Sequence, residues 1–118
     1  MTMPLDSKAP LEAGSEVWLL RLTVNGSARW HGRPLYRAVV ESAVDSGMAG
    51  ASVFPVEQGY GRSGTLRDAL SEYAAADTPV VVEIVDAPAK IEALLAALGP
   101  AAALGHVTVE PARVVGPV

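Results

Sequence analysis

Residues 53–66 read VFPVEQGYGRSGTL, and within them Gly59, Gly61 and Gly64 have the G-x-G-x-x-G spacing. That spacing cradles a pyrophosphate when a buried strand precedes it and a helix follows. Asp86 closes a Val-rich run roughly 20 residues further on, where a ribose-binding acid would be expected. The residues leading into the glycines decide against that fold. A dinucleotide-binding first strand is central and parallel, is covered on both faces, and runs apolar up to its first glycine. Here Pro55 would remove a ladder hydrogen bond, and Glu57 and Gln58 would put a charge and an amide at the dry end of the strand. The glycines therefore read as a connection, and the fold has to come from the segments on either side.

Upstream, Glu16 to Val24 alternates, with Trp18, Leu20, Leu22 and Val24 on one side and Val17, Leu19, Arg21 and Thr23 on the other. This is a strand, mostly buried on both faces. Asn25 and Gly26 supply turn chemistry, and Pro34 suits a first helical turn. Leu35, Ala38, Val39, Ser42 and Ala43 recur at helical spacing, and Gly47 stands where a left-handed C-terminal residue is needed. Ala51 to Glu57 reads as a second strand. Downstream, Leu66, Ala69, Leu70 and Tyr73 predict a short helix within Thr65 to Ala76, and Pro79 to Val85 a third strand. Asp86 is placed to N-cap a second long helix carrying Pro88 in its first turn and Ile91, Leu94, Leu95 and Leu98 at core spacing. Gly99 and Pro100 stop it. His106 to Val115 reads as a fourth strand, with Pro111 marking an edge or bulge. The order βαββαβ is that of a ferredoxin-like α+β fold, an antiparallel sheet with both helices on one face. With the helices on one face, Val17, Leu19, Val81 and Val85 fall on the other, and such a patch calls for a covering subunit.

The chain has 118 residues, enough for one domain. We expect an unstructured arm over residues 1–15, a single domain over 16–115 with a loop at 59–77, and a short tail at 116–118. Half the residues are hydrophobic, yet no apolar run reaches the roughly 20 residues of a membrane span. The first 15 residues have no apolar core of a signal peptide, and there is no cysteine, which fits a reducing cytoplasm. A net charge of −4 disfavours a nucleic-acid binder. A local exception is the accumulation of Arg21, Arg29, Arg33 and Arg37 around Trp30 and His31, readable as an anionic contact or as a solvated hairpin-like turn. His31 and His106 lack metal-ligand spacing, so no metal and no cofactor is expected. No Gly-x-Ser-x-Gly elbow and no cysteine nucleophile occurs, and Ser63 has no evident base, so the chain does not read as an enzyme.

Two stretches carry a resemblance. VEQGYGRSG is similar to the base of the T-loop of PII signal-transduction proteins, with Gly59, Tyr60, Gly61, Arg62 and Gly64 matching. GRPLYRAVVESAVDSGMAGASVF with TPVVVEIVDAPAKIEALLAAL resembles the uncharacterised PII-like group known as domain of unknown function 190, over most of residues 16–115. The resemblance implies a homotrimer sensing an adenine or cyclic nucleotide in clefts between subunits. It also implies a T-loop that signals to an unidentified target protein, a membrane transporter among the candidates. The ligand-binding residues would be Gly59, Tyr60, Gly61, Arg62, Ser63 and Gly64, with Arg113 as a second positive group. The backbone N–H groups of such a turn can approach a phosphate closely, and Arg62 offers its oxygens a fork of donors. Ser63 stands where the family loop carries Gln, and GPAAALGH at 99–106 has neither lysine nor arginine, so magnesium, 2-oxoglutarate and ATP are not implied. The alternative reading is an accessory subunit that binds no nucleotide and docks on a membrane ion transporter, of fluoride for example.

Overall fold

The computed structural model describes residues 11–59, 67–68, 78–100 and 105–116. Ten elements follow in chain order: β1 (Glu16–Asn25), β2 (Arg29–Trp30), β3 (Arg33–Pro34), α1 (Leu35–Asp45), β4 (Gly50–Pro55), β5 (Gln58–Gly59), β6 (Arg67–Asp68), β7 (Pro79–Asp86), α2 (Pro88–Leu98) and β8 (His106–Arg113). The long strands form one antiparallel sheet in the order β4-β7-β1-β8. This is the expected βαββαβ ferredoxin-like arrangement with two short ribbons added.

The register explains the core. Leu20 pairs with Ile84, Leu22 with Val82 and Val24 with Val80, so the even positions of β1 and β7 share one face. Leu35, Val39 and Ala43 of α1 and Ile91, Leu94 and Leu98 of α2 close over that face, burying Leu20, Leu22, Val82 and Ile84 completely. Each such side chain contributes about 1.5–3 kcal/mol by leaving water. Gly105 is required by close approach: a Cβ there would lie 2.7 Å from Val24 Cγ1 and 2.9 Å from the Thr23 carbonyl oxygen.

Helix α1 ends as the sequence predicts. Gly47 takes φ 70°, its N–H donates to the Val44 carbonyl, and the Met48 N–H donates to the Ala43 carbonyl. These two bonds make a Schellman motif. Between β1 and α1, His31 (φ 50°) and Gly32 (φ 78°) form a two-residue turn that pairs Trp30 with Arg33. Positive φ at both turn residues matches the right-handed twist of the ribbon.

Four expectations need correction. Arg67 and Asp68 are not helical; they pair with Gly59 and Gln58 as a ribbon closing the base of the glycine segment. The rest of Thr65 to Ala76, Tyr73 included, lies outside the described residues. Pro34 is the N-cap of α1, not a member of its first turn. Asp86 does not cap α2: it is the last residue of β7, and Ala87 occupies the cap with Pro88 following. Pairing of Asp86 with Trp18 holds it extended and delays the helix by a residue. Finally, the uncovered face is not a simple apolar patch. Val17 is buried, Leu19, Val81 and Val85 are half-buried, and an ion pair occupies the centre.

Candidate functional site

Chain geometry sets where the predicted site residues can act. Strand β4 runs out along one edge of the sheet to Pro55, opposite Val80. Val56 donates back to the Pro79 carbonyl, and Gln58 and Gly59 then enter the short ribbon with Asp68 and Arg67. The glycine segment is thus held at both ends by backbone pairing, which fixes where it leaves the body. Tyr60, Gly61, Arg62, Ser63 and Gly64 lie outside the described residues.

Arg113 is at the other extreme. It ends β8, on the opposite edge of the sheet, and its register partner is Glu16 at the start of β1. From Glu16 to Val24, level with Pro55, β1 spans about 26 Å, and three strand spacings add about 14 Å across. The diagonal is about 30 Å. The four steps from Pro55 to Gly59 cover at most about 14 Å, which leaves Gly59 and Arg113 at least about 16 Å apart within one chain. Arg113 is exposed, makes no ion pair with a described residue, and lines an open depression of ≈ 410 Å³ with Gly14, Glu16, Pro111 and Ala112. The Gly14 N–H donates to the Val114 carbonyl and the Val114 N–H to the Ser15 carbonyl, so residues 12–15, expected within the arm, form a turn that walls this depression.

Two charged arrangements were not anticipated. On the face away from the helices, Arg21 donates through Nε to Glu83 at 2.9 Å, and its Nη2 reaches Glu110 at 3.2 Å. The hydrogen bond to Glu83 is the first cause of an Arg21 pKa raised above the ordinary arginine value, against some desolvation. The alternation in β1 did expose Arg21 as the one charged member of its face, beside Val17, Leu19 and Thr23, but its acids lie 62 and 89 residues away. At the other surface, the buried Asp86 carboxylate accepts from the Ala49 N–H at 2.9 Å and the Ala87 N–H at 2.6 Å, and pairs with Lys90 at 3.2 Å. Lys90 also donates to the Gly47 carbonyl at 2.8 Å, so the group ties the α1–β4 turn to the start of α2.

The basic accumulation of Arg21, Arg29, Arg33 and Arg37 does not assemble as one patch. Arg21 is on the sheet, Arg29 donates to the Gly32 carbonyl at 2.7 Å, and Arg33 is paired with Glu41. His31 stacks edge-on against Trp30 in the ribbon turn, and His106 begins β8. Among the described residues no three His, Cys, Asp or Glu side chains converge as metal ligands, and no helix is long and apolar enough to cross a membrane.

Comparison with known proteins places the chain. The DUF190 family, described as "Uncharacterized ACR", matches residues 17–114. A UPF0166 protein of Aquifex aeolicus (strain VF5) is 35% identical over 77 residues, covering 65% of this chain and 73% of that protein. Among solved structures, CPII from Thiomonas intermedia K12, a nitrogen regulatory PII-like protein bound to ADP, AMP and bicarbonate, superposes with a TM-score of 0.66 at 14% identity, over 86% of this chain and 91% of that one. CutA from Synechococcus elongatus PCC7942 superposes at 0.57 with 20% identity, over 92% and 86% of the two chains. With a family match spanning nearly the whole sheet and both helices, and a fold shared with a PII-like protein, this chain is a member of the DUF190 family with a PII-like, ferredoxin-like fold.

Proposed function

We propose that the protein is a non-enzymatic PII-like regulator that senses an adenine or cyclic nucleotide in clefts between the subunits of a cytoplasmic homotrimer, and reports through residues 59–77 to a target protein. The carrying observation is the separation of the candidate residues. Pro55, which leads into Gly59, and Arg113 stand at opposite corners of the sheet on opposite edges, and this separation supports a site that takes the glycine loop and Arg113 from different copies. A head-to-tail arrangement that closes into a ring produces that meeting at every interface. CPII, which shares the fold, holds ADP and AMP, and this supports the choice of nucleotide class. In this reading, backbone N–H groups of Gly59, Gly61 and Gly64 approach the phosphate. Tyr60 and Ser63 line the turn, and Arg62 and the neighbour's Arg113 supply charge.

Calorimetry with ADP, AMP and a cyclic nucleotide on the wild type and on Arg62→Ala tests it. Removing one charge-assisted pair costs roughly 1.5–3 kcal/mol, so affinity should fall about ten- to a hundredfold. Unchanged affinity in Arg62→Ala would remove the phosphate from this loop. A wild type that binds no nucleotide, while loop deletion still abolishes capture of a partner, would return the accessory-subunit reading.

A further inference from the structure

The segment joining β1 to α1 concentrates positive charge in an acidic chain. None of the 13 acids lies between Glu16 and Glu41, while Arg21, Arg29, Arg33 and Arg37 all do. With Arg21 engaged on the sheet, the other three stand on the β2–β3 ribbon and in the first turn of α1. Each keeps donors for a partner. Arg29 commits one N–H to the Gly32 carbonyl at 2.7 Å, Arg33 shares an exposed pair with Glu41, and the exposed Arg37 meets no acid among the described residues.

The ribbon is held in shape at both ends. At its root the Asn25 side chain accepts the Ser27 N–H at 2.8 Å, and the Leu35 N–H donates to the Ala28 carbonyl at 2.8 Å. At its tip, His31 is the one non-glycine residue with positive φ among those described, and its ring meets Trp30 edge-on at 4.6 Å. Asn or Gly would occupy that turn position with less strain. The root also sits beside that of the glycine segment: Gly26 donates to the Thr78 carbonyl at 2.9 Å, and Val56 to the neighbouring Pro79 carbonyl at 3.1 Å.

We propose that this ribbon is a docking element for an acidic segment of a partner protein, with Arg29, Arg33 and Arg37 pairing its carboxylates and Trp30 and His31 as the aromatic centre of the contact. It is a surface apart from the nucleotide site and needs no nucleotide. An exposed hairpin tip is a protrusion, whereas small-molecule sites are concave. The charge of −4 on the whole chain repels an extended anionic surface such as a bilayer or a nucleic acid, but not a local acidic strand. Trp30 is moreover half-buried against the core and is not free to enter a bilayer. Arginine and tryptophan are the residue types that dominate protein contacts, and a ribbon already fixed in shape loses little freedom on binding. The exposed Arg33–Glu41 pair adds little to folding, so Arg33 can exchange Glu41 for a partner's acid.

The test is fluorescence anisotropy of the full chain, without nucleotide, against a labelled peptide of alternating Glu and Ser and its Gln and Ser counterpart. The Glu peptide should bind, more weakly as salt is raised, and the Gln peptide should not. Arg33→Gln combined with Arg37→Gln should weaken binding at least about tenfold. His31→Asn keeps a residue suited to the turn and removes the ring. Its thermal midpoint should equal or exceed that of the wild type, while the peptide binds about fivefold more weakly. Equal binding of the two peptides, no binding of the Glu peptide, or unchanged affinity in either variant overturns the proposal. So does binding of the wild type to phosphatidylserine vesicles that the arginine variant loses, which would make the ribbon a membrane contact.

Discussion

Asp86 illustrates how one side chain can serve two elements. The residue is 4% exposed, and its carboxylate accepts two backbone N–H groups, one from the α1–β4 turn and one from the start of α2. Replacing it with alanine leaves both donors without that acceptor, at about 1–3 kcal/mol for each group that water cannot reach. We expect Asp86→Ala to lower unfolding free energy by about 2–4 kcal/mol in urea titrations, with Asp86→Asn intermediate because one amide oxygen remains. Arg21 gives a contrasting expectation. Its pKa is raised in the folded chain, so its contribution is complete below the unfolded arginine pKa and is lost only as pH climbs through the higher folded value. Both lie far above neutrality. The urea midpoint difference between wild type and Arg21→Met should therefore be the same at about pH 6 and about pH 9. The acid at Asp86 was visible in the sequence but misassigned, since an Asp before Ala-Pro has the chemistry of an N-cap. Only its pairing with Trp18 reveals that it belongs to the strand.

At the level of elements, the strands and helices with strong periodicity were legible, and their ends were readable where the backbone demands a particular residue. Gly47 is such a case. Alanine there keeps the helix but forces a left-handed residue with a Cβ, at about 1–2 kcal/mol. Gly47→Ala should lower the thermal midpoint accordingly, whereas substitution at the exposed Ala93 should leave it unchanged. The short ribbons were not legible as strands. Residues 67–68 carry a helical spacing with Leu66, Ala69, Leu70 and Tyr73, yet pair with 58–59, because closing the glycine segment satisfies backbone groups that local propensity does not count. The ribbon ahead of α1 was anticipated only as a hairpin-like turn, although His31 and Gly32 at positive φ define it fully.

For the whole molecule, the element order gave the fold class, while strand order and register, which place residues tens of residues apart side by side, had to come from the structure. The candidate site shows the same division. Its glycines and arginines could be named from sequence, but nothing local says that Pro55, which leads into Gly59, and Arg113 sit at opposite corners of the sheet. In the proposed function the site is jointly owned by two copies, and joint ownership can be tested by genetics as well as by chemistry. A chain with Arg62→Ala lacks one half and a chain with Arg113→Ala lacks the other, so neither should bind nucleotide at full strength alone. Mixed and reassembled in equal amounts, the two defective chains should regenerate about one quarter of the sites in a head-to-tail ring. Titration calorimetry of the mixture would count them; a count of zero would mean that each chain carries its own site whole. Two broken proteins repairing one another is what the diagonal of this sheet predicts.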